Sequence, residues 1–527
     1  MESFHKFIFR LFLTYLHISF TIESSESLCS KEDENCFDQQ MHPDLFRETS
    51  YDSINPLEYT NKYWLDMSRE FIKQQMNRQP NTNKAKNVIF FLGDGMGLTT
   101  IAAARNLLGG TEQKFVFEEF PYSGLSKTYS VDRIVSDSAC TATAYLCGVK
   151  AMKGTIGVNG QVHMSDCETG IDRNNFVDSI AKWFIDAGKN AGLVTTTRVT
   201  HASPAGVYAH IADRDWENDS EVKKACGSRS ASKVQDIAYQ LMHGEVGRNL
   251  SLIMGGGKEN FIDSSLYYNG KRSDGLDLVE LFRQEHPDNV YVETRDDLMQ
   301  ANLLKANRVL GLYQDSHMFY HLETNETKNQ PTLEEMTIKA IEYLQQRNED
   351  GYFIFIEGGL IDWAHHFNKP RLALDETVEF SKAIRAAREM TSEEDTLIVV
   401  TADHSHAFTY GGYPSRKSDV FAPAPAKGKD GKPYMPLSYA NGPSFPQFFD
   451  NENGQRKDPS LSIVGDINDE FPSTWYMQWE THGGDDVPVY ASGPWSHLFT
   501  GVYEQNALPH FMAYAACVGN GLTMCQM

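Results

Sequence analysis

Five clusters of acid, imidazole and hydroxyl side chains punctuate this chain. Asp94 sits in Gly93-Asp94-Gly95-Met96-Gly97, and Ser203 closes Thr200-His201-Ala202-Ser203. Glu357, Asp362 and His366 fall within ten residues, Asp403, His404 and His406 within four, and His482 lies in Glu480-Thr481-His482-Gly483-Gly484. Carboxylate with imidazole suits zinc, and carboxylate with hydroxyl suits magnesium. Asp362 and His366 stand four apart, so one helical turn puts both on one face. Taken singly, each has an ordinary reading: Asp after a strand is a favoured helix cap, and the glycine-rich segment is a plausible turn. Taken together they would place many charges in one region, which a fold tolerates only when they are compensated.

The elements that must position them are short apolar runs. Asn87–Leu92, Gly192–Thr196, Leu250–Met254, Tyr352–Ile356, Thr396–Val400 and Val487–Ser492 read as strands buried on both faces. Amphipathic stretches at Leu333–Arg347 and Leu372–Met390 read as helices between them, and Leu57–Met76 as a helix leading into the first strand. Alternation of this kind predicts an α/β fold with a mostly parallel central sheet flanked by helices on both faces. Four of the clusters directly follow such a run, and ligands of open α/β sheets gather outside the carboxyl ends of the strands. Residues 414–479 are rich in Pro, Gly, Asn and aromatics with little periodicity, and read as an irregular insertion or cap within a single domain spanning 51–527.

Asp137-Ser138-Ala139-Cys140-Thr141 has the composition of a helix start, where backbone N–H groups favour an anion. Ser138 is then either a plain capping serine or a nucleophile, and a serine needs activation to attack. Arg214 offers a planar fork for two oxygens of a phosphoryl group; a surface ion pair is its ordinary alternative.

A net charge of -23 argues against nucleic-acid binding, which needs a basic footprint. It also means that an anionic substrate would need bound cations to reverse the local field. Lys6 and Arg10 ahead of the apolar run Leu11–Ile22 read as a secretory leader over about 1–24, too short to span a membrane. Sequons at Asn218, Asn249 and Asn325 would be surface acceptors in a secreted glycoprotein. Of eight cysteines, Cys29, Cys36, Cys167, Cys226, Cys517 and Cys525 are disulfide candidates whose connectivity the sequence leaves open. Cys140 and Cys147, in an apolar helical segment, are expected as free buried thiols. The sequence ends at Met527 without an apolar tail, so no glycolipid anchor is expected.

The segments FLGDGMG, DSACTATAYLCGVK, TTTRVTHASPAG, EGGLIDWAHH, TADHSHAFTYGGY and ETHGGDDVPVYASGP resemble those of metazoan alkaline phosphatases, and the likeness runs from Leu57 to Cys525. The resemblance implies a hydrolase of phosphate monoesters, with Ser138 phosphorylated and Arg214 clamping the phosphoryl group. It implies that Asp362, His366 and His482 hold one zinc ion and Asp94, Asp403 and His404 a second. Asp94, Ser203 and Glu357 would hold one magnesium. His201, Asp137 and His406 would stand around these ligands, orienting them. It further implies inhibition by the product, inorganic phosphate, and a homodimer, with 414–479 as a crown-like insertion where vertebrate members carry a dimer-associated crown.

Two departures from the vertebrate pattern stand out. Trp363 replaces a histidine and pairs with His201 as in the invertebrate type that the sequence resembles, so weaker product binding is expected; the alternative is that Trp363 only packs against the neighbouring loop. Gln314 and Gln330 stand where a vertebrate calcium site needs carboxylates, and the loop near Glu259 is shorter, so no calcium site of that kind is expected. Sulfatases and phosphodiesterases are the rival enzymes, but the first need a different nucleophile motif and the second generally use threonine without an arginine clamp. A phosphate- or metal-binding protein without activity is the non-enzymatic rival.

Overall fold

The computed structural model describes residues 55–526, apart from 325–327, 348, 425–426 and 451–453. The expected leader, Cys29, Cys36 and Asn325 lie outside the described residues.

Every residue of β1 (Asn87–Gly93) is buried, as its unbroken apolar run predicts for a strand covered on both faces. Its side chains alternate between two cores. Val88, Phe90 and Leu92 face one, and Ile89 and Phe91 the other. The remaining strands, in chain order, are β2 (Tyr122–Lys127), β3 (Asn190–Arg198), β4 (Leu252–Gly256), β5 (Val290–Val292), β6 (Val309–Leu312), β7 (Tyr352–Gly358), β8 (Thr396–Thr401), β9 (Ser405–His406), β10 (Phe408–Tyr410), β11 (Leu437–Gly442), β12 (Ser473–Tyr476), β13 (His482–Gly483), β14 (Val487–Ser492) and β15 (Gly501–Glu504). Ten of them form the central sheet in the order β15-β2-β14-β8-β1-β7-β3-β4-β6-β5. Only β14 opposes its neighbours, and every other pairing is parallel.

Helices cover both faces. Ser138–Cys147, Ile180–Asp186 and Leu508–Ala516 pack on one core, and Leu333–Arg347 with Pro370–Met390 on the other. Pro370 occupies the first turn of its helix, where a missing N–H costs nothing. Phe380 of that helix meets Phe91 of β1 edge to face, ring centres 5.8 Å apart.

The stretch 414–479 is more ordered than its composition predicts. It carries β11 and β12, which with β10 form a separate three-stranded sheet, and it buries Leu437, Tyr439 and Phe471. The strand sequence LSYANG contains residues of low β-propensity, so the alternation of burial did not show as an apolar pattern. Helix Asn61–Asn77 forms where expected but buries none of its residues.

Cys167–Cys226 and Cys517–Cys525 are disulfide-bonded, and Cys140 and Cys147 are free and buried. Asn249 is exposed. Asn218 corrects an expectation: it is buried, not a surface acceptor. Its Oδ1 accepts from the N–H groups of Ser220 and Glu221, and its Nδ2 donates to Asn260. The sequon coincides with a helix start, where Asn is a favoured cap. Among the described residues, no helix is long and apolar enough to cross a membrane.

Candidate active site

β1, β7 and β8 lie side by side in register, so the residues following them emerge together. Asp94 follows β1, Glu357 is the penultimate residue of β7, and Asp403 lies just beyond β8. The turn after β1 passes so close to the next segment that a side chain at Gly95, whose φ is 68°, would overlap the His406 imidazole.

Two donor clusters result. In the first, the donor atoms of Asp94, Asp403 and His404 lie within 4.8 Å of one another. His404 Nε2 stands 3.0 Å from Asp403 Oδ2 and 3.5 Å from Asp94 Oδ1. Asp403 Oδ1 accepts from the N–H groups of Gly95 and His404, which orients the carboxylate. In the second, Asp362 is ringed by imidazoles. His366 Nε2 is 3.3 Å from Oδ2, and His406 and His482 approach Oδ1 at 2.8 and 3.4 Å. Asp362 and His366 share one face of the helix Leu360–His366. The His404 and His482 rings stack at 3.5 Å, joining the clusters.

Glu357 forms a third, adjoining position. Its Oε2 accepts from Thr195 and Thr197, and Ser203 Oγ reaches toward Asp94 Oδ2 at 3.5 Å. The charges are poorly compensated. Burial lifts Glu357 to about 7, and burial with the neighbouring carboxylates Asp403 and Asp362 pushes Asp94 well up. Burial would raise Asp362 too, but the imidazoles of His366, His406 and His482 outweigh it and hold it well down. Asp94 Oδ1 and Glu357 Oε1 are buried with no hydrogen-bond partner. Among the described residues, no lysine or arginine pairs with Asp94, Glu357 or Asp403. Orphaned carboxylate oxygens beside imidazole nitrogens are what divalent cations satisfy, so the residues fit metal ions.

Ser138 begins the ten-residue helix Ser138–Cys147, and its Oγ lies 3.2 Å from His404 Nε2. Asp137 caps that helix: Oδ1 accepts from the N–H groups of Cys140 and Gly154. Its Oδ2 accepts from Arg214 Nη1 at 3.1 Å, while Arg214 Nη2 meets His201 Nε2 at 3.1 Å. Arg214 is thus fixed on two sides beside the serine. A cavity of about 530 Å³ opens over Asp137, Arg214, His366, Trp479 and His482. Trp363 packs against His317, Phe367 and Trp479.

The structure brings Ser138, Arg214, Asp94, Ser203, Glu357, Asp362, His366, Asp403, His404 and His482 together here, with Asp137, His201, Trp363 and His406 among them. It adds Glu480, whose Oε2 lies 2.5 Å from His406 Nδ1, and the threonines 195 and 197 on Glu357. Glu480 had a signal in sequence, two residues before His482; the threonines read only as strand. His317, bonded to Arg198 and packed at a tilt against Trp363, lies in a loop with no pattern to mark it. Of the residues weighed for calcium, Glu259 pairs with Lys271 at 2.7 Å, Gln330 bonds both backbone groups of Phe319, and the Gln314 carbonyl accepts from the N–H groups of Gly257 and Lys258.

Fold and donor set define the class: an α/β protein whose carboxyl edge suits metal cations. The family model described as alkaline phosphatase matches residues 85–518. The human tissue-nonspecific alkaline phosphatase is 44% identical over 484 residues, covering 88% of this chain and 90% of that protein. A membrane-bound alkaline phosphatase of Bombyx mori is 40% identical over 509 residues, covering 93% and 91%. Among solved structures, the alkaline phosphatase of Thermus thermophilus superposes with a TM-score of 0.60 at 21% identity, covering 85% of this chain and 94% of that one. The chain belongs to the alkaline phosphatase family. It is a hydrolase of phosphate monoesters.

Proposed function

We propose that hydrolysis proceeds through a phosphoserine at Ser138. The observation that carries this reading is the position of Ser138 Oγ, at a helix N-terminus, 3.2 Å from His404 and beside the Arg214 guanidinium that Asp137 holds. Asp362, His366 and His482 would hold one zinc ion, Asp94, Asp403 and His404 a second, and Asp94, Ser203 and Glu357 a magnesium ion. Such ions supply Lewis-acid activation of the attacking and leaving oxygens and neutralise phosphoryl charge.

The chain's own residues do the positioning. Arg214 presents its fork to two non-bridging oxygens, and the N–H groups at the start of the Ser138–Cys147 helix favour the anion. Ser138 Oγ attacks phosphorus, the bond to the leaving oxygen breaks, and the alcohol departs with a proton. Water then attacks the phosphoserine, the Oγ–phosphorus bond breaks, and Ser138 regains its proton as inorganic phosphate leaves. Charge stabilisation and alignment dominate such transfers. Product phosphate would compete for the same groups and inhibit.

The same reading makes 51–527 one domain with 414–479 as its crown, and the protein secreted. Two disulfides and the exposed sequon at Asn249 support an oxidising, extracellular setting. A homodimer is supported by the helix Asn61–Asn77, which leaves Trp64, Leu65, Phe71 and Ile72 about half exposed.

The test is hydrolysis of p-nitrophenyl phosphate at alkaline pH by the wild type, Ser138→Ala and an EDTA-treated sample. Activity lost in both, with label from a radioactive phosphate ester trapped on acid quenching in the wild type only, supports the reading. Full activity in folded Ser138→Ala would end it.

A further inference from the structure

A fourth group of metal-binding character lies away from the sheet edge. The loop between β6 and the helix Leu333–Arg347 includes a short turn, His321–Glu323, packed on the helix Pro370–Met390. His321 Nδ1 stands 2.8 Å from Asp375 Oδ2 and 3.6 Å from Glu379 Oε1. The donor atoms of the three residues lie within 4.8 Å of one another. Asp375 and Glu379 are four apart on the helix and so share one face.

Two further observations point to a ligand. A cavity of about 20 Å³, room for a single water or ion, is lined by His321, Glu376 and Glu379. Glu376 faces it while only 5% exposed. The His321 N–H, at 2.7 Å, is the hydrogen bond that the Glu376 carboxylate accepts, and no lysine or arginine among the described residues pairs with it. Burial, with Asp375 and Glu379 nearby, lifts Glu376 to about 8. The Tyr320 hydroxyl, which feels the Glu376 charge, is buried without a hydrogen-bond partner. Three carboxylates therefore converge with one imidazole, and among the described residues the one lysine paired with them is Lys382, on Glu379.

We propose that His321, Asp375 and Glu379, backed by Glu376, bind a divalent cation of the zinc type. The donor set selects the metal: calcium and magnesium prefer oxygen alone, whereas imidazole with carboxylate suits zinc. Lys382, its side chain nearly half exposed, can release Glu379 to the cation and swing into solvent. The site would be structural. It staples the loop to the helix that follows Asp362 and His366, and the same loop carries His317, whose ring stands 4.6 Å from Trp363. The competing account is an ion pair alone, with His321 protonated by its contact with Asp375.

X-ray data collected on either side of the zinc absorption edge, from crystals of the zinc-loaded full chain, distinguish the two. An anomalous peak within about 2.2 Å of His321 Nδ1 and of a carboxylate oxygen of Asp375 or Glu379 is expected. Metal content by mass spectrometry should fall by one zinc per chain in Asp375→Asn/Glu379→Gln, with p-nitrophenyl phosphate hydrolysis retained. No peak at His321 in crystals that show zinc at the sheet edge, or equal metal content in the folded double variant, overturns the proposal. Because the two regions give separate peaks, failure here is distinct from failure of the metal sites around Ser138.

Discussion

Glu480 and His406 meet at 2.5 Å, Oε2 to Nδ1, with both side chains fully buried. The other ring nitrogen of His406 stands 2.8 Å from Asp362 Oδ1. Burial opposes a charge on this imidazole, yet the two carboxylates lift it to about 10. Glu480 therefore fixes His406, and His406 fixes the carboxylate proposed to hold zinc. Glu480→Gln removes the charge and keeps the shape. Zinc affinity should drop about 10- to 100-fold, the usual effect of losing an outer orienting group. Titration against a chelating dye measures this, and excess zinc should restore activity. Unchanged affinity would show that Asp362 needs no such support.

Arg214 is held by Asp137 and His201 at 3.1 Å each, so its fork is aimed before substrate arrives. Arg214→Ala should lower kcat/KM by roughly 10²- to 10³-fold, the cost of one aligned transition-state donor. Arg214→Lys should recover only part, because a point charge cannot bond two oxygens in one plane. Steady-state kinetics of all three proteins, with melting temperature as a control for folding, decides the matter. Full activity in Arg214→Lys would reduce the role of the fork to charge alone.

The sheet was legible where a strand is buried on both faces. Phe90, Phe91, Phe355 and Val399 sit in runs with no polar interruption, which admits little but a covered strand. At one end of the sheet, the edge strand β15 and its neighbour β2, with sequences GVYE and YSGLSK, are mostly only partly buried and left no apolar run to find. The site was legible because its residues follow those buried strands at once. What stayed hidden was support from afar: His317 reaches Trp363 from a loop, and Thr195 meets Glu357 only because β3 and β7 pair in register. Such contacts depend on strand order, and strand order is not written in any one segment.

Trp363 follows Asp362 directly, and its ring is occupied by contacts with His317, Phe367 and Trp479. Trp363→His should add one hydrogen bond to bound phosphate, directly or through water. A net gain of about 1 kcal/mol corresponds to an inhibition constant roughly fivefold lower. If product release limits turnover, kcat should fall by a similar factor. Inhibition by inorganic phosphate in steady-state assays tests both. An unchanged constant would mean that Trp363 serves packing only.

Asp137 links stability to pH. Burial acts to raise it, but the Arg214 charge and the Gly154 N–H outweigh burial and bring it to about 2, below its ordinary 3.8. A depressed carboxylate stabilises the fold when the pH is above its unfolded value. That contribution is complete above about pH 4 and is lost as the pH falls toward 2. The side chain is only 9% exposed, so solvent screens the pair little, and the shift corresponds to about 2 kcal/mol. Asp137→Asn removes the titration and leaves Arg214 without its counter-ion. The variant should therefore be less stable at pH 6, and its stability should fall less steeply between pH 4 and 2. Urea unfolding of both metal-free proteins across that range measures the two slopes with the acid-labile metal sites out of play. Parallel slopes would place the charge of Arg214 elsewhere than on Asp137.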